Sequence, residues 1–141
     1  MLWQYTKRNA VKNFFPLPNE IFSLGLPSGA LAVYSYLLYC EDRKTYQCWP
    51  SYRSIGEAVC MSVNTVRKYM IELEERGLIV TELTSIVTRA GRKRNGTLRY
   101  TILPIQNAVD LHNQRQLRRL DETVERMRVR KKLEGNEERP A

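Results

Sequence analysis

The sequence is poor in the residues that most metal sites and disulfide-rich folds need. Its 141 residues include one His and three Cys, and the three cysteines (Cys40, Cys48 and Cys60) form no Cys-x-x-Cys pair. Zinc sites combine Cys and His ligands at short spacing, and an odd set of irregularly spaced cysteines is not a disulfide framework. We therefore expect no metal site, no cofactor and no disulfide.

Catalytic motifs are also missing. The chain has no Gly-x-Ser-x-Gly element and no Gly-rich phosphate-binding loop. His112 is its single His, so no other histidine could pair with a nucleophile. These motifs are the usual sequence signs of nucleophilic and phosphoryl-transfer chemistry. The sequence therefore predicts that the protein is not an enzyme.

Long apolar runs are absent as well. The longest weakly polar run is Gly29 to Cys40, whereas a membrane-spanning helix needs about 20 residues. Residues 1–15 mix Lys7, Arg8 and Lys12 with scattered apolar residues and lack the apolar segment of a signal peptide. We expect a cytoplasmic, nucleoid-associated protein with no membrane partner.

Acidic residues are outnumbered by basic ones. The chain carries 23 Lys and Arg against 15 Asp and Glu, a net charge of +8. The stretch from Arg89 to Arg99 holds five of these cations and no acid. A concentrated basic patch on a small protein is typical of nucleic-acid binding, although a basic surface loop that only maintains solubility gives the same pattern.

Apolar spacing predicts a set of short helices. After a short helix that begins at Asn19, a largely apolar helix is expected from Ser28 to about Cys40. Ser51 and Ser62 are N-cap residues for helices over 52–59 and 63–76, separated by the short turn Cys60-Met61. In the last of these helices, Val63, Val66, Met70 and Leu73 are expected in the core, and Trp49 is expected to anchor the preceding loop.

Two strands and a final helix follow. The segments 78–88 and 98–103 alternate and are rich in β-branched residues, and Asn95-Gly96 between them predicts the hairpin turn. From Ile105 to about Leu133 the pattern is helical again.

We predict a flexible arm (1–13), a domain (14–104), a C-terminal helix (105–133) and a disordered tail (134–141). The fold class is mainly α with a small β-hairpin wing (α+β), a winged helix-turn-helix plus a C-terminal helix.

This order of elements predicts where DNA is bound. The second helix of a helix-turn-helix lies in the major groove, where Asn and Arg side chains read base edges, and a basic hairpin can reach the backbone or the minor groove. Hydroxyl and cationic groups at helix starts suit phosphates. The predicted DNA-binding residues are Ser51, Tyr52, Arg53, Ser62, Asn64, Thr65, Arg67 and Lys68 in the two helices, and Arg89, Arg92, Lys93, Arg94 and Asn95 in the wing.

Residues 15–103 resemble a known pattern at residue level. The matching tracts are Trp49-Pro50-Ser51, Ile55-Gly56, Met61 to Lys68, and Leu73 to Ile79. They resemble the GntR-type winged helix and equally the winged-helix modules of plasmid, phage and conjugative-element proteins, including replication initiators and replisome organisers. GntR-type proteins usually carry Arg after the capping Ser, where this chain has Val63. The chain after Leu103 is too short for a GntR effector domain, so the resemblance implies no small-molecule effector.

Three functions follow, in order of preference. The first is a sequence-specific double-stranded DNA-binding protein acting as a transcriptional regulator. The second is a replication initiator or replisome-organiser module of a mobile element. The third is a protein-interaction winged helix without specific DNA binding.

The C-terminal helix has two possible partners. Leu117, Leu120, Val124 and Met127 form a short heptad seam. The seam either packs on the protein's own first helix or pairs with a second copy in a homodimer, which would suit a symmetric DNA site.

Overall fold

The computed structural model describes residues 13–87 and 89–137, with side chains except at 86, 87, 93–95, 136 and 137. A 3-10 helix (Asn19–Ser23) precedes four α-helices and three strands. In chain order the elements are α1 (Ser28–Cys40), β1 (Gln47–Cys48), α2 (Tyr52–Val59), α3 (Val63–Glu75), β2 (Ile79–Val87), β3 (Lys93–Ile102) and α4 (Ile105–Glu137).

The helix α1 forms the centre of the core. Ala30, Val33, Tyr34 and Leu37 on α1 are all almost completely buried, which agrees with the apolar character predicted from the sequence. Around them pack Ile55 of α2, the buried face of α3, and the strand residues Ile79 and Tyr100. The burial of apolar side chains from every element around α1 holds the three helices and the sheet together.

Serine side chains begin α2 and α3, as the sequence predicted. The Ser51 hydroxyl accepts a hydrogen bond from the backbone N–H of Ser54 at 3.0 Å, and the Ser62 hydroxyl accepts one from that of Thr65 at 3.2 Å. Each bond satisfies an N–H group that has no partner within its own helix. The capped starts fix where both helices begin.

The turn between α2 and α3 is tight because of two backbone features. Cys60 adopts the left-handed conformation at the end of α2 (φ 58°), and the amide of Met61 donates to the carbonyl oxygen of Gly56 at 2.9 Å. A Cβ atom on Gly56 would lie 2.5 Å from the carbonyl oxygen of Met61. Glycine at position 56 therefore leaves room for the backbone of the turn.

The sheet has the order β1-β3-β2 and is antiparallel throughout. The sequence did not predict β1, whose Gln47 and Cys48 pair with Thr101 and Tyr100. A strand of two residues gives no alternating pattern, so only its pairing with β3 reveals it. This strand secures the loop between α1 and α2 to the sheet.

The predicted hairpin turn at Asn95-Gly96 is wrong. Pairing continues past it, from Ser85 with Asn95 to Val87 with Lys93, so β3 begins at Lys93 and the connection lies before it. Gly91 in that connection has the positive φ (74°) that a tight turn uses. The register shifts between Leu83 and Ser85, which puts Gly96 at a bulge, a common position for Gly within a strand.

Two residues expected to be buried are largely exposed. Val63, the first residue of α3, is 41% exposed, and Trp49 is 47% exposed. Val66, Met70 and Leu73 are buried as predicted. Val63 differs from them because it lies in the first turn of α3, at the edge of the buried side and in line with the exposed Arg67.

The helix α4 leaves the domain after its first two turns. Ala108 is buried and Ile105 and Val109 pack on the core, but from Asn113 to Gly135 every residue is exposed. Leu117 and Met127 are 61% and 62% exposed, and Leu120 and Val124 are exposed between them. The alternative in which this seam packs on the protein's own first helix is therefore wrong.

The C-terminal helix is longer than the sequence predicted. The helix continues to Glu137, past the predicted end at Leu133, so residues 134–137 are helical where the sequence predicted a disordered tail. Residues 1–12 of the predicted arm and residues 138–141 lie outside the described residues.

Candidate nucleic-acid interface

One face of α3 is open to solvent and is not used by the core. With 3.6 residues per turn, Val63, Arg67 and Ile71 follow one another along this face, and Asn64 and Lys68 form a second row beside them. All five are exposed. Val66, Met70 and Leu73 lie on the buried side of the same helix. The exposed face combines polar and apolar side chains, which together can form hydrogen bonds and van der Waals contacts with base edges.

Arg67 interacts with two neighbouring side chains. Its guanidinium group donates from Nη1 to Oδ1 of Asn64 at 3.3 Å, and its Cζ lies 5.9 Å from the centroid of the Tyr52 ring. The Tyr52 ring in turn stacks on the buried Tyr100 at 6.5 Å between centroids. Burial raises the pKa of the Tyr52 hydroxyl, an effect that the nearby Arg67 opposes, so the phenol remains protonated at neutral pH.

The hydroxyl groups at the helix starts have structural roles already. Ser51 and Ser62 cap α2 and α3. The hydroxyl of Thr65 lies 2.9 Å from that of Ser62, and Thr65 is half-buried, away from the rows of Asn64 and Arg67. The structure therefore brings Ser62 and Thr65 together at the N-terminus of α3, where the helix dipole favours anions.

The remaining helix cations are exposed. Lys68 carries its Nζ 5.5 Å from the centroid of the Tyr69 ring. Arg53 forms an exposed ion pair with Glu57 on α2, with 3.3 Å between Nε and Oε1. Exposed ion pairs of this kind contribute little to stability, so the Arg53 guanidinium can exchange Glu57 for another anion at small cost.

The predicted wing residues lie on both sides of the hairpin connection. Arg89 and Arg92 are exposed in the connection, whereas Lys93, Arg94 and Asn95 belong to the first residues of β3. The side chains of the last three lie outside those described. Farther along the hairpin, Arg99 forms an ion pair with Glu82 across the strands, so that cation is partly neutralised.

The acidic residues of α3 lie toward its far end. Glu72 forms an ion pair with Arg76 at 3.3 Å, and Arg76 also donates to the carbonyl oxygen of Leu24 at 2.7 Å. Glu74 accepts from the backbone N–H of Thr81 at 3.2 Å. The N-terminal half of α3 therefore contains two cations, Arg67 and Lys68, and no acidic residue.

Three residues near this surface were not identified from the sequence as functional. Val63 and Ile71 are exposed apolar side chains within the polar face, and Tyr100 supports Tyr52 from below. The helical rows alone could have indicated Ile71, which shares a row with Arg67. The support from Tyr100 depends on a contact between distant segments, and no local sequence signal reveals it.

Neither a cluster of metal ligands nor a membrane-spanning helix is found among the described residues. Within residues 13–87 and 89–137, no three His, Cys, Asp or Glu side chains come together as metal ligands. Among the helices described, none is both long and apolar enough to cross a membrane.

Comparison with known proteins agrees with this architecture. A helix-turn-helix domain family model matches residues 24–79, the segment that contains α1, α2 and α3. No curated protein sequence matches this chain.

Several solved structures are similar to the chain. A possible transcriptional regulator from Methanosarcina mazei Go1 is 19% identical and covers 74% of this chain and 82% of its own, with a TM-score of 0.47. A MarR family transcription regulator is 14% identical and covers 80% of this chain and 70% of its own, with a TM-score of 0.41. The S. aureus MepR–DNA complex is 13% identical and covers 83% of this chain and 85% of its own, with a TM-score of 0.39.

The resemblance to GntR-type and mobile-element proteins stays a prediction. Residues 24–79 match the helix-turn-helix domain model, and α1, α2 and α3 together with the three-stranded sheet have the architecture of a winged helix.

Proposed function

We propose that this protein binds double-stranded DNA at specific sequences and acts as a transcriptional regulator. The observation that carries the proposal is the exposed face of α3, where Asn64 and Arg67 are hydrogen-bonded to each other and are free of core packing. In a helix-turn-helix, this face of the second helix enters the major groove. A cytoplasmic location follows from this function.

Base reading is assigned to the first two turns of α3. Arg67 can donate two hydrogen bonds to guanine, and Asn64 can pair with adenine. Val63, exposed beside them, suits contact with a thymine methyl group. Lys68, in the same row as Asn64, is assigned to phosphate or to a flanking base.

Phosphate contacts are assigned to both helix starts and to the wing. Ser51, Tyr52 and Arg53 begin α2, and Ser62 and Thr65 begin α3, so hydroxyl, guanidinium and backbone N–H donors are available on either side of the turn. The wing residues Arg89, Arg92, Lys93, Arg94 and Asn95 are assigned to the backbone or to the adjacent minor groove.

The test is selection of binding sites from a random duplex pool at about 150 mM salt, where non-specific electrostatic binding is weakened. We expect one enriched sequence. Arg67→Ala should cost about 1–3 kcal/mol at that site and relax the preference at one base position. Arg118→Ala, on the exposed part of α4, is the matched control because it removes the same charge from a residue outside α3.

The alternative functions give different results. If no sequence is enriched and Arg67→Ala behaves like Arg118→Ala, the chain is a protein-interaction winged helix and the proposal is wrong. If the enriched sequence occurs as repeats near an origin rather than in promoters, the DNA binding stands and the role is that of a replication module.

We also propose that the protein acts as a homodimer through Leu117, Leu120, Val124 and Met127. These apolar side chains recur at heptad spacing on α4 and are exposed in the single chain, and an exposed apolar stripe is typical of an interaction surface. A symmetric dimer would match two half-sites about 10 base pairs apart, or a multiple of that spacing.

The dimer has its own matched control on the same helix. The double variant Leu120→Gln, Met127→Gln should halve the mass measured by light scattering. Val129→Gln, Leu133→Gln removes two exposed apolar residues that lie off the heptad seam, and it should leave the mass unchanged. A monomeric mass for the unchanged protein at high concentration would contradict the proposal.

A further inference from the structure

A cavity lies on the domain between α1, the end of β3 and the segment that leads into the 3-10 helix. Its volume is about 470 Å³, which is within the usual range for small-molecule sites. Pro16, Leu17 and Pro18 form one wall, Tyr34, Leu38 and Glu41 another, and residues 102–105 a third. None of the residues assigned above to DNA lines this cavity.

Among the described residues, Glu41 is the only charged one that lines the cavity. Its Oε2 atom is buried and has no hydrogen-bond partner. A buried carboxylate oxygen without a donor is costly. Glu41 also follows the last residue of α1 as its C-cap, where the helix dipole disfavours a negative charge. Both effects destabilise the ionised form of this carboxylate, and a nearby cation or hydrogen-bond donor would stabilise it.

The nearby cation Arg43 is hydrogen-bonded to another part of the chain. Burial raises the pKa of Glu41, and the charge of Arg43 acts in the opposite direction. The Arg43 guanidinium, however, donates to the carbonyl oxygen of Phe14 at 3.4 Å and is not among the residues that line the cavity. Among the described residues that line the cavity, none therefore offers Glu41 a cation.

The other walls suit a hydrophobic body. Leu38 and Ile105 are aliphatic, and Tyr34 and Tyr46 present aromatic rings. Aromatic rings attract cations through their negative faces, and aliphatic side chains pack against hydrocarbon without a polar requirement. An anionic ligand would meet only the charge of Glu41, which repels it.

We propose that this cavity binds a small hydrophobic organic cation, an alkylammonium or arylalkylammonium whose nitrogen pairs with the carboxylate of Glu41. Its hydrocarbon body packs against Leu38 and Ile105 and beside the rings of Tyr34 and Tyr46. The inference is independent of the proposed DNA binding, since it concerns other residues and is tested without DNA.

Three probes of one shape and different charge test the proposal. 3-Phenylpropylamine, 3-phenylpropanol and 3-phenylpropionate are titrated into the full chain at pH 7 and followed by calorimetry and by amide chemical shifts. We expect the amine to bind about tenfold or more tightly than the alcohol, because a hydrogen bond between charged groups adds to the packing. The propionate should bind weakest. The shifted amides should lie in residues 34–41 and 102–105.

Two variants assign the preference to Glu41. Glu41→Gln keeps the shape and removes the charge, so the amine and the alcohol should then bind within about threefold of each other. Glu57→Gln, at an exposed acid on α2, should keep the full preference. Thermal unfolding of both variants checks that they fold.

Any one of three results would overturn the proposal. The first is equal binding of the amine and the alcohol by the unchanged protein, which needs no variant to be informative. The second is a preference for the amine that survives in Glu41→Gln. The third is a set of amide shifts that falls outside the cavity.

Discussion

The guanidinium carbon of Arg67 lies 5.9 Å from the centroid of the Tyr52 ring, so the first residue of α2 helps to orient a side chain of α3. Tyr52 is itself stacked on Tyr100 of β3. Three elements of the winged helix therefore meet at one exposed arginine. This arrangement limits the conformations of Arg67 before any ligand is bound, which reduces the entropy that binding would cost.

Replacing Tyr52 should separate the role of its ring from that of its hydroxyl. Tyr52→Ala removes the cation–π contact, which is worth about 0.5–1 kcal/mol at an exposed site, and should weaken binding to the selected DNA about twofold to fivefold. Tyr52→Phe keeps the ring and also the backbone N–H through which Tyr52 is assigned to phosphate, so it should bind like the unchanged protein. Fluorescence anisotropy at fixed salt measures both. An equal loss in both variants would show that the hydroxyl contacts phosphate and that the ring does not matter.

Neutralising the wing should change the salt dependence of DNA binding. With Arg92, Lys93 and Arg94 all replaced by Gln, the affinity for every sequence should fall, and the slope of log K against log salt should decrease by about 1 for each lost phosphate contact. Replacing Arg118, Arg126 and Lys132 of α4 by Gln removes the same charge elsewhere. An identical slope in the two triple variants would mean that the wing does not touch the backbone.

Adding a methyl group at Gly56 should destabilise the fold. The Cβ atom of Gly56→Ala would lie 2.5 Å from the carbonyl oxygen of Met61, and relieving an overpacked contact of this kind costs about 1–3 kcal/mol. Gly135→Ala, at a helical position with no atom close to the new Cβ, should instead stabilise the protein by up to about 1 kcal/mol. Urea unfolding measures both, and an unchanged midpoint for Gly56→Ala would contradict the tight turn.

The three cysteines should differ in reactivity toward a thiol reagent. Cys48 is 1% exposed, and burial raises its pKa to about 12, so it should react only when urea unfolds the protein. Cys60 is exposed in the turn and Cys40 is partly buried. The fast phase in a DTNB assay should therefore disappear in Cys60→Ser. A fast phase that persists in that variant would assign the exposed thiol to another cysteine.

The stability of the protein should respond to pH through Glu41. Because burial raises the pKa of this carboxyl above its ordinary value of 4.5, the folded state holds the proton more tightly than the unfolded state. Stability from this group is present below that value and is lost as the pH rises through the raised pKa. Glu41→Gln should thus match the unchanged protein at pH 4 and be the more stable of the two at pH 7. The opposite order at pH 7 would show that the carboxylate has a partner in solution.

The local signals in the sequence were enough for the helices. Ser51 and Ser62 carry their N-cap role in their own side chains, and the spacing of Val66, Met70 and Leu73 predicts the buried side of α3. The same signals failed at the hairpin. Asn95-Gly96 can form a tight turn, but the alternating residues on both sides can pair in more than one register, and Gly91 offers a second position for the turn.

The sequence by itself determined the order of the helices, the two cap positions and the basic character of the wing, since each depends on residues that are neighbours along the chain. Only the tertiary structure decided that β1 joins the sheet, that Val63 is exposed, that Tyr100 supports Tyr52 and that α4 extends away from the domain. It also decided that one carboxylate oxygen of Glu41 is buried without a hydrogen-bond partner and that this residue lines a largely apolar cavity. These features depend on contacts between segments far apart in the chain, and whether such contacts form is set by the packing of the whole core around α1.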